Sequence, residues 1–550
     1  MAIIETSVLE LKNLIGPKVK GLSAKQIADG ITMMGLPVDK HDSNTLWVEV
    51  SPNRPDCYSV EGLARALSAF LGIKTGLQNY NVNPAKTELK VDSSIKNCPR
   101  EEIVCAVARN VKLTDDLLKS LIQIQEKLHD TLGRKRKKAS IGIHDLSKVK
   151  PHFTYKAVKP TQAKFIPLDM RVEKTLEEIL LEHPKGVEYA KVLEGAKNYP
   201  LIVDAEGQVL SFPPIINGEL TKVTENTTEL FIEITATDKK AATDSLNILC
   251  TLLSDRKAQV ERVKISGLQK ETTPDLSPKN TATSTKSANK LLGTTIQAKE
   301  CIKLLEKMGY AAQEKSGKIS VSVPVYRNDV LHEVDVIEDI GIAYGFEKFF
   351  GTGPRFATIG QKHPQEEFAD KARRTMIGLG FQDCITFMLS NERREYAKML
   401  SEETPRVEIA NPLTEETTML RTSLLPSLLG VLENNKDQKY PQTLFEVGEV
   451  LLLDEKNETG ARTAKKLCMV SAHKNANLAE AKSTLEALMR ELNEKPAISS
   501  KQEPFFIQGR SAKVKTQSGK FTGSFGEIHP KVLEQLGIEM PVSAFELFLE

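Results

Sequence analysis

Seven cysteines in 550 residues (Cys57, Cys98, Cys105, Cys250, Cys301, Cys384 and Cys468) are scattered, odd in number and never in a CxxC pair. That spacing argues against a disulfide framework and against a structural zinc site, and it fits a reducing, cytoplasmic setting. Net charge is nearly absent too: 75 Lys and Arg against 73 Asp and Glu leave +2, so any contact with a polyanion has to be local. No stretch approaches the roughly 18 to 20 apolar residues of a membrane span, and MAIIETSVLELKNLIG has neither a basic n-region nor a small-residue cleavage site. Familiar catalytic signatures are missing: there is no GxxxxGK[ST], no GxGxxG after a strand, no HExxH and no GxSxG. The 9 histidines are dispersed, and the two in ordered-looking motifs, His144 in GIHD and His529 in EIHP, read as structural.

What is present is length and pattern. At 550 residues and 40% hydrophobic, the chain is globular and long enough for three or four domains of an α+β, multidomain protein. Residues 1–82 read as a mixed module with a helix over 23–35 and the strand LWVEV at 46–50. In SPNRPDCYSVEGLARALSAFLG, Pro52 and Pro55 force an extended lead-in, Ser59 is an N-cap and Gly62–Leu71 has helical periodicity. This is either a loop and capped helix that hold the module together or a binding element. Residues 83–266 mix helices at 113–131, 173–195 and 239–254 with β-rich runs such as LFIEITAT at 230–237. Five consecutive bases, Arg134 to Lys138, follow the first of these helices and form either a solvated loop or a phosphate contact.

The Thr, Ser, Lys and Pro-rich QKETTPDLSPKNTATSTKSANK marks a boundary or a long exposed connection. In the module 267–350, a helix at 296–308 places Ala298, Cys301, Ile302, Leu305 and Met308 on one face and stops at Gly309. The strand KISVSVPVY alternates Ile319, Val321, Val323 and Val325 inward, with Pro324 at an edge or bulge. Residues 351–550 carry a helix at 366–378, a Gly378/Gly380 break, the strand CITFML and TMLRTSLLPSLLGVLENN.

Two polar groups stand out. NDVLHEVDVIEDIG sets Asp335, Glu338 and Asp339 at i, i+3 and i+4, with Asp329 just ahead and no Lys or Arg between Asp329 and Gly341. Residues so spaced share a helical face and repel when like-charged, so the segment is either a solvated acidic face or an oxygen-ligand site for a hard cation such as Mg²⁺. In LSFPPIINGELTKVTENTTELFIEITATD, the paired Pro213 and Pro214 with Asn217 and Gly218 make a rigid turn, while Glu233 and Thr235 alternate with Ile232 and Ile234. Ser211, Glu233 and Thr235 therefore either face one small polar pocket or belong to an amphipathic strand whose Glu and Thr face water.

Taken in order, SPNRPDCYSVEGLARAL, SIGIHDLSKVKPHFTYKA, LSFPPIINGELT with FIEITATD, VPVYRNDVLHEVDVIEDIGIAYGF and NPLTEETTMLRTSLLPSLL resemble the beta subunit of phenylalanyl-tRNA synthetase in its archaeal and eukaryotic form. The resemblance runs over nearly the whole chain. It implies an α₂β₂ heterotetramer in which the alpha subunit holds ATP and phenylalanine and charges tRNA(Phe). It further implies an editing (B3/B4-like) domain at 83–266, a B5-like helix–strand–helix domain at 267–350 and an inactive, degenerate class II synthetase-like antiparallel-sheet module at 351–550. No FRxE motif follows residue 351, and Arg421 in MLRTS is expected to pack or to bridge subunits. The family pattern D-x5-D-x2-E-[DE] falls on Asp329, Asp335, Glu338 and Asp339 and implies Mg²⁺ there. Ser211, Asn217, Glu233 and Thr235 match the pocket that hydrolyses tyrosyl-tRNA(Phe), with Glu233 as acceptor for the phenol. Bacterial relatives carry further modules, whereas this chain ends at FELFLE, so the resemblance implies that anticodon contacts arise elsewhere in the tetramer, with Arg134 to Lys138 as candidates for tRNA or alpha-subunit contacts. Two other readings stay open: a structural, tRNA-positioning subunit without editing, and a freestanding metal-dependent hydrolase.

Overall fold

The computed structural model describes residues 2–96, 98–351 and 353–549. The chain falls into two compact units, 1–352 and 353–550. Among the described residues no helix is long and apolar enough to cross a membrane.

The first unit begins with a three-stranded antiparallel sheet, Ala2–Ser7 and Val38–His41 flanking Thr45–Val50. Ser7, Ser23 and Ser59 each cap a helix that follows them (Val8–Ile15, Ala24–Met33 and Val60–Phe70) by accepting an orphan backbone N–H. Within the SPNRPDCY segment Arg54 donates to Asp56 at 2.9 Å, and both side chains are buried. Further along, the Arg65 guanidinium lies 3.8 Å over the Tyr326 ring and donates to Asp255, tying this module to its neighbours.

The centre of the unit is a ten-stranded mixed sheet. Leu230–Ala236 runs antiparallel between Glu102–Arg109 and Ala139–Asp145, and the far edge carries Tyr199–Val203, Val209–Phe212 and Ile216–Asn217. Period-2 alternation gives the strand Leu230–Ala236 two buried faces. Leu230, Ile232 and Ile234 pack with Leu117, Leu121 and Ile124 of the helix Asp115–Asp130 and with Leu246 and Leu249 of the helix Lys239–Asp255. Phe231 packs on the other face with Phe153, Tyr155 and Leu210. The helix expected over 173–195 is broken into Leu176–Glu182, Pro184–Tyr189 and a 3-10 turn, Ala190–Leu193. Pro184 lacks the N–H needed to continue the first piece and forces His183 into extended geometry, with ψ 133.

The Ser, Thr and Lys-rich stretch is not a connection. Its residues Lys279–Ser284 form a strand paired with Lys318–Val323, and Ser284 caps the helix Thr285–Leu292. Thr is a good strand former and Ser a good cap, so a composition that looks like a linker builds structure here. The helices Ala298–Lys307 and Glu333–Tyr344 complete this module around Cys301, Leu305, Ile319, Val321 and Ile340.

The second unit is a seven-stranded sheet, antiparallel except for the short parallel edge strand Gln382–Asp383. The helix Leu425–Asn434 packs through Leu425, Leu428, Leu429 and Leu432, and the helix Leu478–Glu491 through Leu485 and Leu488. The strand expected over CITFML is absent except for Leu389–Ser390, because Ile385 and Phe387 are 96% and 87% exposed and pack on no sheet face. Arg421 packs within the chain. It is buried and donates to Glu446 at 2.8 Å, to Thr386 at 2.6 Å and to the Glu449 carbonyl at 2.9 Å.

Candidate functional site

Glu233 sits in the middle of a central strand, opposite Cys105 on one side and Gly142 on the other. Its side chain and that of Thr235 project to the face shared with Phe231, so neither meets water: Ser211, Glu233 and Thr235 are 1%, 2% and 0% exposed. The amphipathic, water-facing alternative is thereby excluded. The Ser211 hydroxyl donates to Glu233 Oε1 at 3.0 Å, and Asn217, register partner of Ser211, is half-buried and donates to the Ile143 carbonyl at 3.4 Å. Thr235 Oγ1 instead accepts from Arg100 at 3.3 Å. The four residues expected to act together thus line one region, with Asn217 at its more open edge.

Three residues there were not singled out as site members from the sequence. His144, read as structural, accepts or donates at Nδ1 with Thr221 at 2.8 Å, while its Nε2 lies 3.8 Å from Glu233 Oε1. Gly142 makes room for the carboxylate, since a Cβ there would fall 2.3 Å from Glu233 Oε1 and 2.8 Å from His144 Nε2. Arg100, wholly buried, is lowered to about 10, chiefly by desolvation, and spans the Arg136 carbonyl at 2.9 Å and Thr235. The Tyr155 hydroxyl, which burial pushes well above its ordinary range, donates to the Arg100 carbonyl at 2.7 Å. Gly142 had a sequence signal, a glycine inside a strand-like run. Arg100 had none, since 135 residues separate it from Thr235.

Chemically, the important feature is what Glu233 lacks. Its Oε2 and the Nε2 of His144 are buried without a hydrogen-bond partner. Among the described residues no Lys or Arg lies within ion-pair distance of Glu233, although Arg100 feels its charge at longer range. A buried polar atom without a partner is costly and rare in native folds, and a ligand hydroxyl is a natural way to satisfy it.

The acidic segment is arranged differently. Arg327 donates to Asp329 at 2.9 Å and 2.8 Å and to Asp339 at 2.7 Å, and the Tyr310 hydroxyl also donates to Asp339. Asp335 accepts from the backbone N–H groups of Leu331 and His332 at 2.7 Å each and so caps its own helix. Glu338 is exposed, and its pKa is raised by desolvation and then by Asp339, Asp335 and Asp329. Among the described residues no three acidic, His or Cys side chains gather to hold a metal ion. In this arrangement Arg327 supplies the positive charge beside Asp329 and Asp339. The counter-ion lies two residues ahead of Asp329 in the sequence.

Three family models match the chain in order: the B3/4 domain over 111–264, the tRNA synthetase B5 domain over 281–346 and the phenylalanyl tRNA synthetase beta chain CLM domain over 352–549. Two of them describe parts of tRNA synthetases, which sets the class of the protein. The phenylalanine--tRNA ligase beta subunit of Archaeoglobus fulgidus is 42% identical over 544 residues (98% of this chain, 96% of that one). That of Methanothrix thermoacetophila is 41% identical over 532 residues (96% and 97%). A crystal structure of an N-terminal fragment of the phenylalanyl-tRNA synthetase beta subunit from Pyrococcus horikoshii matches with a TM-score of 0.60 at 36% identity, covering 63% of this chain and 100% of the fragment. The chain belongs to the phenylalanine--tRNA ligase beta-subunit family.

Proposed function

We propose that this chain works with an alpha subunit, in an α₂β₂ assembly, in the ATP-dependent attachment of phenylalanine to tRNA(Phe), and that it hydrolyses tyrosyl-tRNA(Phe) made in error. In this reading residues 83–266 form the editing domain, 267–350 the B5-like domain and 351–550 a class II-like module without aminoacylation activity of its own. ATP and phenylalanine are handled by the alpha subunit.

The observation that carries the editing proposal is the partnerless Oε2 of buried Glu233. Tyrosine differs from phenylalanine by one hydroxyl, and an apolar synthetic pocket rejects an added hydroxyl only about a hundredfold. A site built to bond that hydroxyl can discriminate far more strongly, because the analogue lacking it leaves a buried acceptor unpaired. Glu233 would accept the phenol proton on Oε2 while Ser211 holds Oε1, and Thr235 and Asn217 would complete the lining. No side-chain nucleophile is needed; a positioned water, oriented with the help of the terminal ribose of the substrate, would attack the ester. The test is hydrolysis of preformed tyrosyl-tRNA(Phe) and phenylalanyl-tRNA(Phe) by the chain assembled with its alpha subunit. Selective loss of tyrosine supports editing. No deacylation in a complex that still charges phenylalanine would leave the chain a structural, tRNA-positioning subunit.

Mg²⁺ remains a proposal for the assembled enzyme. Its support is the like charge around exposed Glu338, which a cation would relieve, and any ion engaging Asp329 or Asp339 would have to compete with Arg327. Calorimetric titration of Mg²⁺ into the chain with and without the alpha subunit tests this, and no binding in either case would remove the ion. The commitment of these carboxylates to Arg327 and to a helix cap also leaves a freestanding metal-dependent hydrolase without support.

A further inference from the structure

The basic run Arg134 to Lys138 divides into two groups with different surroundings. Arg136 and Lys138 are spent on the fold: Arg136 donates to the Pro214 and Ile215 carbonyls at 3.2 Å and 2.9 Å and stacks 4.3 Å from the centre of the Tyr189 ring, and Lys138 pairs with Asp238 at 2.7 Å. Arg134, Lys135 and Lys137 are exposed and, among the described residues, have no ion-pair or side-chain hydrogen-bond partner. The backbone that carries them is unusual, with Arg134, Lys135 and Arg136 consecutively left-handed at φ 46, 54 and 63. Non-glycine residues visit that region singly and at a cost, so three in a row persist only where the surroundings hold them.

The surroundings that hold them are the segments next to Asn217 and Thr235. Arg136 grips the Pro214–Ile215 segment, two residues before Asn217. Arg100 donates to the carbonyls of Arg136 and Lys137 at 2.9 Å and 3.3 Å and, with its other nitrogens, to Thr235. The Thr237 hydroxyl adds a bond to the Lys137 carbonyl at 3.2 Å. Two buried arginines therefore tie a turn with three free cations to Thr235, on the Glu233 strand, and to the Pro214–Ile215 segment.

We propose that Arg134, Lys135 and Lys137 bind the backbone phosphates of the single-stranded RNA end that carries the aminoacyl ester, so that the basic turn places the ester over Glu233. This rests on the editing reading above and adds to it the group that delivers the substrate. Phosphate contacts position a nucleic acid without reading its sequence, and three cations within four residues with no acid between them suit a flexible strand.

The test uses the full chain and a short single-stranded RNA ending in CCA, with binding followed by fluorescence anisotropy across a range of salt. In the variant, Arg134→Asn and Lys135→Asn keep residues that tolerate the left-handed region, Lys137→Ala removes the third charge, and circular dichroism checks that the fold survives. For the wild type the plot of log affinity against log salt should have a slope of about −2, as three contacts to a single strand give. The variant should bind at least about tenfold more weakly at low salt, with a slope near zero. A variant that binds the RNA as tightly and with the same slope overturns the proposal, as does one that keeps RNA binding but fails to assemble with the alpha subunit, which would make the turn a protein contact. Deacylation of tyrosyl-tRNA is scored separately. A wild type that binds RNA as described yet deacylates nothing defeats the editing reading and leaves the turn as an RNA site, whereas an active wild type with an indifferent variant defeats the turn alone.

Discussion

Two buried acids of the first unit, Glu233 and Asp339, are treated in opposite ways. Asp339 accepts from Arg327 and Tyr310 on the same oxygen, Oδ2, and Arg327 is held again by Asp329, so the Asp339 charge is met by a buried counter-ion. Glu233 has one hydroxyl on Oε1, nothing on Oε2 and a histidine nitrogen 3.8 Å away. A buried carboxylate with a counter-ion serves the fold; one buried with no counter-ion and no partner for its second oxygen costs stability, and a ligand hydroxyl can complete it. The acids that stood out most in the sequence thus have a buried arginine as counter-ion, and the acid that read equally well as a surface residue is the buried one with an unpartnered oxygen.

The largest effect is expected at Arg327. Arg327→Ala leaves Asp329 and Asp339 without their counter-charge and should cost about 3–5 kcal/mol in denaturant unfolding; a loss below about 1 kcal/mol would show that these carboxylates are neutralised in another way. Gly142→Ala comes next. The new methyl must displace the Glu233 carboxylate, which should cost about 1–3 kcal/mol and lower tyrosyl-tRNA hydrolysis about tenfold, measured on the same preparation. By contrast, Glu233→Gln removes the charge at nearly constant shape and should change stability by less than about 1 kcal/mol, because the wild-type Oε2 makes no bond to lose.

The smallest effect is at Glu338. Its pKa is raised above the ordinary 4.5 by burial and by the neighbouring carboxylates, so the folded state pays for its ionisation as pH rises through 4.5 and beyond. Glu338→Gln in metal-free buffer should therefore be stabilising at neutral pH by a few tenths of a kcal/mol, an exposed group being strongly screened. The gain should vanish at pH well below 4.5, where both states are protonated. Thermal unfolding at the two pH values checks it, and a gain that grows in acid would reverse the assignment.

Local signals accounted for what is local. Serine caps and the strand over FIEIT were legible because each depends on residues within one element, whereas the Ser211–Glu233 contact, implied by the resemblance, joins strands far apart in the sheet. Pro184 as a helix break was legible too and was overridden by periodicity on both sides. What was hidden needs the tertiary fold: Arg100 reaches Thr235 across 135 residues, and the division of the basic run into two structural and three free cations depends on the path of the 213–217 turn. The strand-forming use of Thr281 and Thr283 was masked by a composition that Ser, Lys and Pro make look like a linker.

The claim that matters most is that Glu233 selects its substrate through the phenol. Its most direct test is the ratio of hydrolysis rates for tyrosyl-tRNA(Phe) over phenylalanyl-tRNA(Phe), measured for the wild type and for Glu233→Ala in the assembled enzyme. The expected ratio is at least about 10² in the wild type and falls to within about tenfold of unity in the variant. A variant that keeps the wild-type ratio would contradict it and move the recognition of tyrosine away from this strand.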